Sequence, residues 1–312
     1  MGAQQEGKCQ DQAVSPVVQS PAVCDYEGST YETDFWVGQN RDYEDRVERI
    51  ALRRLLPPTG HTLIDVGAGF GRLADLYEGY ERVILVDYSR SMLRQAQERL
   101  GKRNPKYLYV AANVYHLPFV DAVADSLAMV RVIHHLTDVP AALAELARVT
   151  RTHGSIVLEF ANKRNAKAIL RYLLRRQKWN PFDPEPVEFV SLNYDYHPRW
   201  MEAKVLEAKL DIEARLSVSH FRIPLLKKLV PLSILAGLDS ALQWTGRWLM
   251  LSPSGFLLLR QTAQRPDNSE HLFQCPACRN SRWSFGEGYM ECQHCQRRWA
   301  VADNLYDFKQ PL

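Results

Sequence analysis

The sequence predicts an α/β fold in which a mostly parallel sheet carries helices on both faces. Three observations support this prediction. Short apolar segments alternate with helical patterns between residues 61 and 160, which is typical of strand–helix–strand crossovers. The first apolar segment runs into a turn with three glycines at alternate positions. Acidic residues stand in or at the ends of apolar segments, where the carboxyl ends of parallel strands form a ligand site.

The composition fits one large domain with a small module, or two domains. The chain has 312 residues, of which 46% are hydrophobic and 24% are charged, and its net charge is +3. This weak basic excess does not by itself indicate nucleic acid. No apolar segment reaches the roughly 20 residues that span a bilayer, and the N-terminus lacks a signal-peptide pattern. We therefore expect a cytoplasmic protein without a transmembrane segment.

The chain is expected to begin with a disordered tail at residues 1–24, which are rich in Gln, Ser, Pro and Val and have no periodicity. Residues 25–262 form the main predicted domain. It opens with clustered aromatic residues and a helix that ends at two prolines. These aromatic side chains fit the core, and Trp36 and Tyr43 are also candidates for a lid.

The glycine turn follows a predicted first strand at residues 61–66. Amide N–H groups in such a turn and at the start of the next helix bind polar or anionic groups, and glycine lets the ligand approach the backbone. A dinucleotide site needs glycine at position 72, where this chain has Arg72. The acid before the first glycine would repel a pyrophosphate, whereas a ligand that carries an ammonium gains from it. The candidate binding residues are Asp65, Gly67, Ala68, Gly69 and Gly71.

A second acid, Asp87, ends the next apolar segment. It lies roughly 20 residues beyond the glycine turn, where an acidic side chain accepts hydrogen bonds from both hydroxyls of a ribose. Tyr88 follows it, and Ser89 caps a helix predicted over residues 92–100. The sequence therefore places a ribose site beside the glycine turn.

These segments resemble the class I S-adenosylmethionine-dependent methyltransferases. The glycine turn with its preceding acid resembles the first motif of that family, and Val-Asp-Tyr-Ser-Arg-Ser-Met around Asp87 resembles the second. The resemblance covers residues 62–260. It implies a Rossmann-like sheet of seven mostly parallel strands, with an antiparallel edge formed by residues 211–221 and 252–260.

The resemblance also implies where S-adenosylmethionine binds. The glycine turn is expected to hold its methionine end, Asp87 the ribose, and Asn113 with Val114 the adenine. The family often has an acid where Asn113 stands, and the amide oxygen of Asn can still accept from the adenine amino group. Arg131, after the fourth strand, is expected to face the transferred methyl group and the substrate.

Residues 125–160 resemble the branch of the family that methylates small molecules. His134 and His135 are candidates for a general base if the acceptor is a hydroxyl, and packing or capping of the next helix is the alternative for each. After the fourth strand the chain reads Met-Val-Arg-Val rather than Asn-Pro-Pro-Tyr. This difference argues against methylation of glutamine or of exocyclic amino groups by the mechanism that needs that motif.

Residues 162–251 contain the predicted substrate region. A basic segment at residues 163–178 is either a solvated helix face or a contact for an anionic substrate. Residues 224–251 are largely apolar. They form helices packed on the core, a lid over a hydrophobic substrate, or a surface that contacts a membrane peripherally.

Four cysteines near the C-terminus form two Cys-x-x-Cys pairs beyond a polar linker at residues 263–270. Their spacing is typical of a tetrahedral zinc site with four thiolate ligands. Residues 271–312 therefore predict a zinc ribbon, in which zinc is structural because so small a module lacks a sufficient core. The tail also resembles the zinc-ribbon part of the small activator of tRNA-, ribosome- and release-factor-modifying methyltransferases. The predicted ligands are Cys275, Cys278, Cys292 and Cys295.

The sequence thus predicts an enzyme that transfers a methyl group from S-adenosylmethionine to a small molecule, hydrophobic or anionic, by in-line displacement. One alternative is an RNA or protein methyltransferase that recruits its substrate through the ribbon and the basic segment, although nucleic acid is not the favoured partner. A second alternative is a scaffold that binds the cofactor without catalysis.

Overall fold

The computed structural model describes residues 21–28, 41–264 and 271–312. The predicted tail over residues 1–20, the lid candidate Trp36 and the linker residues 265–270 lie outside the described residues. Within them, no helix is both long and apolar enough to cross a membrane.

The described chain forms one large sheet, a small hairpin and seven α-helices. The strands are β1 Gly60–Val66, β2 Tyr80–Asp87, β3 Tyr107–Ala111, β4 Ala124–Met129, β5 Thr150–Ala161, β6 Val187–Val190, β7 Asn193–Asp195, β8 Leu210–Val218, β9 Ser254–Gln261, β10 Trp283–Gly286, β11 Tyr289–Cys292, β12 Arg298–Ala302 and β13 Leu305–Asp307. The helices are α1 Asp42–Leu55, α2 Arg90–Leu100, α3 Val139–Val149, α4 Ala166–Leu173, α5 Pro198–Glu207, α6 Pro224–Leu229 and α7 Leu232–Leu242.

The large sheet has the order β10-β11-β12-β13-β3-β2-β1-β4-β5-β9-β8. Strands β1 to β5 are parallel, and β9 and β8 continue the sheet as an antiparallel edge. This arrangement confirms the predicted Rossmann-like, mixed sheet. The chain order reverses between β1 and β4, so a crevice opens at the carboxyl ends of these strands, which is where such sheets bind ligands.

Side chains alternate between the two faces of β1 and build a core on each side of the sheet. Leu63 packs in a cluster with α1, α2 and α7, whereas Ile64 packs in a cluster with α3 and α5. Tyr43 belongs to the first cluster, is 2% exposed and donates a 2.7 Å hydrogen bond to Asp239. Tyr43 is therefore a core residue, and its prediction as a lid candidate was wrong.

The cysteine-rich module is part of the sheet, which corrects the predicted count of seven strands. β13 pairs in parallel with β3, with Leu305 opposite Tyr109 and Asp307 opposite Ala111. The sheet therefore has eleven strands. This pairing was not predictable from the sequence, because β13 has only three residues, too few to show a strand periodicity. The pairing also covers the hydrogen-bonding edge that β3 would otherwise expose.

Aromatic packing fixes the module to the larger domain. The Phe273 ring lies 5.8 Å from the Phe119 ring and 5.3 Å from the Phe308 ring, measured between centroids. Phe119 is fully buried and Phe273 is 8% exposed. Gln274 of the module and Val120 of the main domain each donate a backbone hydrogen bond of 3.0–3.1 Å to a carbonyl of the other part. One hydrophobic core is therefore continuous from the main domain into the module.

We expect Phe273→Ala to lower the free energy of unfolding by about 3 kcal/mol, because it removes a buried aromatic ring between the two parts. Urea denaturation measures the change. Phe285→Ala is the matched control, since the Phe285 ring belongs to the same module but is 70% exposed, and we expect it to cost less than about 0.5 kcal/mol. Equal effects of the two substitutions would contradict the packing described here.

Candidate cofactor site

A pocket lies at the carboxyl ends of β1, β2 and β4, where the crevice opens. Its walls come from the glycine turn after β1, the end of β2, the residues after β3 and β4, and the N-terminal segment 21–28. The lining includes the predicted residues Asp65, Gly67, Ala68, Gly69, Asp87, Tyr88, Val114, Arg131 and His135. It does not include Gly71, Asn113 or His134.

The glycine turn brings backbone to the pocket in a conformation that other residues rarely adopt. Gly67 and Gly69 have φ values of 75° and 54°. A Cβ atom on Gly67 would lie 2.0 Å from Val132 Cγ2, so only glycine fits there. A Cβ atom on Gly69 would meet no atom within 4 Å, so this backbone is open to the pocket. Gly71 instead packs against Leu100 of α2, which corrects its prediction as a binding residue.

Asp87 is held by the turn that it faces. Its two carboxylate oxygens accept 2.8 Å hydrogen bonds from the backbone N–H groups of Gly69 and Ser89. Burial nevertheless raises the pKa of Asp87 to about 6. Each oxygen has a second lone pair, so both can still accept from a ligand hydroxyl.

Asp65 lies on the other side of the glycine turn, in contact with the core. It accepts a 3.0 Å hydrogen bond from the hydroxyl of Tyr77, which is fully buried. Burial raises the pKa of Asp65 to about 7. The pocket therefore has two carboxyl groups whose charge changes near neutral pH.

Asn113 is not among the residues that line the pocket. Its Oδ1 accepts a 3.0 Å hydrogen bond from the backbone N–H of Tyr115 and caps the short helix Val114–His116. Ala112 and Val114 line the pocket on either side of it. The cap occupies one of the two lone pairs of this amide oxygen, so its contact with adenine stays a prediction.

Arg131 lines the pocket, but its guanidinium group is turned toward α1. Arg131 Nε donates a 2.8 Å hydrogen bond to Glu48, and Arg72 Nη2 donates a 2.9 Å bond to the other oxygen of the same carboxylate. Glu48 is fully buried. Burial acts to raise the pKa of Glu48, but Arg131 and Arg72 outweigh it and hold the pKa below its ordinary value. No local feature of the sequence distinguishes Glu48, because it is one of several acids on an amphipathic helix.

The two histidines have different surroundings. His135 lines the pocket, its Nδ1 lies 3.0 Å from the carbonyl oxygen of Leu192, and its Nε2 lies 3.3 Å from the Tyr26 hydroxyl. His134 packs against His135 with ring centroids 4.1 Å apart, and its buried Nδ1 has no hydrogen-bond partner among the described residues. Burial lowers the pKa of both rings, that of His134 well below its ordinary value. Both imidazoles are therefore neutral at neutral pH.

The N-terminal segment 21–28 covers one side of the pocket. Val23 forms a bridge with Leu136 and lines the pocket together with Cys24 and Tyr26. Residues 21–24 were predicted to belong to a disordered tail, and the structure corrects this boundary. The sequence signal that could have located the segment is the run of aromatic residues beginning at Tyr26.

The segment is fixed on both sides of the pocket. The Glu27 carboxylate accepts hydrogen bonds from the backbone N–H groups of Arg90 and Ser91 at the start of α2. Asp25 pairs with Lys309 of the C-terminal module at 3.2 Å, and the Lys309 ammonium lies 3.9 Å from the centroid of the Tyr88 ring. Both ends of the described chain therefore contact this site.

The four predicted ligand cysteines lie together at one end of the module. All four sulfur atoms are within 4.8 Å of one another. Cys275 Sγ lies 3.6 Å from Cys295 Sγ, and Cys278 Sγ lies 3.5 Å from Cys292 Sγ. Four thiolates around zinc at about 2.3 Å would be separated by nearly these distances, so the cluster can hold one zinc ion.

The fold and pocket define a class of α/β proteins that bind a nucleoside cofactor at the carboxyl edge of a parallel sheet. The family described as "Methyltransferase domain" matches residues 64–158. A demethylmenaquinone methyltransferase of Thermobifida fusca is 36% identical over 107 residues, which are 33% of this chain and 45% of the relative. A demethylmenaquinone methyltransferase of Chlamydia trachomatis serovar L2 is 31% identical over 180 residues, which are 55% of this chain and 75% of the relative. The chain belongs to the S-adenosylmethionine-dependent methyltransferases.

Solved structures support the same fold at low sequence identity. A chain of the complex between the Haloferax volcanii Trm112 methyltransferase activator and a methyltransferase is 16% identical, with a TM-score of 0.52 and coverage of 75% of this chain and 98% of that one. A methyltransferase of Thermotoga maritima is 17% identical, with a TM-score of 0.51 and coverage of 74% and 95%. The chain spans about half the length of the first curated relatives that it matches.

Proposed function

We propose that this protein transfers a methyl group from S-adenosylmethionine to a small hydrophobic acceptor. The observation that carries the proposal is the meeting of the open glycine backbone, Asp87 and the segment after β4 in one pocket. Two relatives are named demethylmenaquinone methyltransferases, and the acceptor in that name is a hydrophobic small molecule.

The pocket residues fit the cofactor group by group. In the proposal, Gly67, Ala68 and Gly69 present backbone to the methionine end, and the Asp87 carboxylate accepts the ribose hydroxyls. Val114 packs against the adenine, and Asp65 favours the ammonium group. Tyr88 closes the ribose side of the pocket. The Lys309 ammonium lies over the Tyr88 ring.

The protein residues contribute orientation and a proton acceptor. Bound S-adenosylmethionine supplies a methyl group on a sulfonium leaving group, so alignment of the acceptor is the main task of the chain. Arg131 fixes the loop after β4 through its pair with Glu48, and His135 fixes Tyr26 and Leu192 around the pocket. His134 and His135 stay the two candidates for a general base, and we favour His135, because its neutral ring lines the pocket whereas His134 lies outside the lining.

We further propose that residues 271–312 are a zinc ribbon. Four thiolates complete a tetrahedral shell and leave no open position for chemistry, so the zinc would be structural. When bound, the ion would hold the module in the shape that presents β13 to β3.

Labelled S-adenosylmethionine and a whole-cell extract, separated after the reaction into organic-soluble, RNA and protein fractions, test the proposed activity. We expect label in a small, organic-soluble product, and we expect Asp87→Ala to abolish it through loss of cofactor binding. His135→Gln should lower the rate by about 100-fold, whereas His134→Gln, a change outside the pocket lining, should lower it far less. Label only in RNA or protein would contradict the proposed acceptor, and incorporation unaffected by Asp87→Ala would refute the proposed site.

The affinity for S-adenosylmethionine should begin to fall as the pH drops below about 7, where Asp65 loses the charge that favours the ammonium group. It should fall more steeply below about 6, by up to about tenfold more per pH unit, because only the ionised Asp87 carboxylate accepts both hydroxyls. Burial raises the pKa of this carboxyl, so the loss begins well above the usual range for Asp. Calorimetric titration measures Kd against pH. Asp87→Asn should bind weakly and lack the steeper decline below about pH 6, whereas Asp65→Asn should retain that decline and lose the part that begins near pH 7. A wild-type Kd constant down to pH 4 would exclude Asp87 as the ribose acceptor.

Zinc removal should destabilise the whole protein, because β13 and Phe273 join the module to the main domain. We expect one bound zinc per chain by elemental analysis. Cys292→Ser should lose it and lower Tm by on the order of 10 °C. Cys24→Ser, which removes a cysteine outside the cluster, should keep the zinc. Full zinc content in Cys292→Ser would show that the cluster is not the zinc site.

A further inference from the structure

Large exposed apolar side chains are concentrated in two neighbouring segments of the main domain. We define the apolar–basic surface as residues 166–178 and 223–249. Of the eighteen large hydrophobic side chains that are exposed in the described residues, twelve belong to it. Exposed apolar side chains normally occur singly, so a cluster of this kind indicates an interaction site.

The first part of the surface is helix α4 and the residues that follow it. Leu170 and Leu173 are 57% and 67% exposed, and Arg171 is exposed beside them. Leu174 extends the apolar stretch and is 54% exposed. Only Ala168 of this helix is fully buried, so the helix turns most of its apolar side chains away from the core.

The second part comprises α6, α7 and the short helix Gln243–Arg247. Helix α7 packs on the core through Leu235 and Ala236, while Ile234, Leu238 and Leu242 recur at four-residue spacing on its exposed side. Trp248 follows and is 79% exposed, with the Arg247 guanidinium 5.6 Å from its ring centroid.

The charge of the surface has a single sign. Residues 166–178 contain five basic residues and no acidic one. The exposed basic side chains after α4 include Arg175, Arg176 and Lys178. In residues 223–249 the single acid is Asp239, which is fully buried and accepts hydrogen bonds from Tyr43 and His220.

The two parts of the apolar–basic surface approach each other at the same edge of the sheet at which the pocket opens. The backbone N–H of Ala166 donates a 2.8 Å hydrogen bond to the carbonyl of Leu251, and Asn162 Nδ2 bonds the carbonyls of Met250 and Ser252. β5 and β8 end, and β9 begins, at this edge. β5 is parallel to β4, whose end leads into the pocket lining.

We propose that the apolar–basic surface docks this protein on an anionic lipid bilayer. Leu and Trp side chains would enter the headgroup–acyl boundary, where tryptophan is favoured, and the basic side chains would contact lipid phosphates. A nucleic acid would use the basic residues but would leave twelve large apolar side chains exposed. An apolar protein partner would leave the excess of basic charge uncompensated.

Vesicle co-sedimentation of the full chain tests the proposal. The protein should bind vesicles of phosphatidylcholine with phosphatidylglycerol, and bind pure phosphatidylcholine far more weakly. The double substitution Leu173→Gln with Trp248→Ser should weaken partitioning by about tenfold or more. Both side chains are exposed, so the variant should retain the unfolding midpoint of the wild-type protein.

A charge pair of variants isolates the electrostatic part. Arg175→Glu with Arg176→Glu should weaken binding to anionic vesicles by about tenfold or more, whereas Lys102→Glu with Arg103→Glu, an equal change of net charge elsewhere, should change it by less than about twofold. Equal losses in the two variants would overturn the assignment of this surface. So would equal binding to both vesicle types, or no binding to either.

Two further results would identify another occupant and overturn the proposal. One is a dimer on sizing chromatography that Trp248→Ser dissociates, which would make the surface a contact between two copies of this chain. The other is salt-sensitive RNA binding that is lost in the Arg175→Glu, Arg176→Glu variant without vesicle binding. Because vesicle binding needs neither cofactor nor turnover, its failure would leave the proposed methyl transfer untouched.

Discussion

The buried carboxylate of Glu48 holds together the parts from which the cofactor pocket is built. It pairs with Arg72 from the turn after β1 and with Arg131 from the loop after β4, and both loops line the pocket. A buried charge without its partners costs several kcal/mol, so α1 and the two loops are stable only when they are placed together. Glu159 adds to this arrangement by accepting a 2.9 Å hydrogen bond from the backbone N–H of Arg131, which has a φ of 61°. The pocket is thus defined by a helix that contributes no residue to its lining.

The sequence predicted the local features of the site and missed those that depend on distant partners. The glycine turn and Asp87 were predictable, because positive φ values and the end of an apolar strand leave a mark within a few residues. Nothing local shows that Glu48 pairs with Arg131, 83 residues away. The family pattern assigns Asn113 to a ligand, but its Oδ1 also accepts a hydrogen bond from the backbone N–H two residues further on.

The fold was likewise predictable where periodicity is strong. The parallel strands and the helices between them follow from alternating apolar segments, and the structure confirms them. The pairing of β13 with β3 joins residues almost 200 positions apart through three residues, which no periodicity can indicate. The C-terminal module was expected to stand alone for that reason. Its aromatic residues, Phe273 above all, form one core with the main domain.

The contact between Asp25 and Lys309 joins the N-terminal segment 21–28 to the C-terminal module. The N-terminal segment lies on one wall of the pocket, whereas the C-terminal module contributes no described residue to the lining. The two meet beside Tyr88. Movement of segment 21–28 away from the pocket would break the contact between Asp25 and Lys309. The position of the module and the covering of the pocket are therefore coupled at this contact. A covalent link between residues 25 and 309 would hold the N-terminal segment over the pocket without changing any residue that lines it.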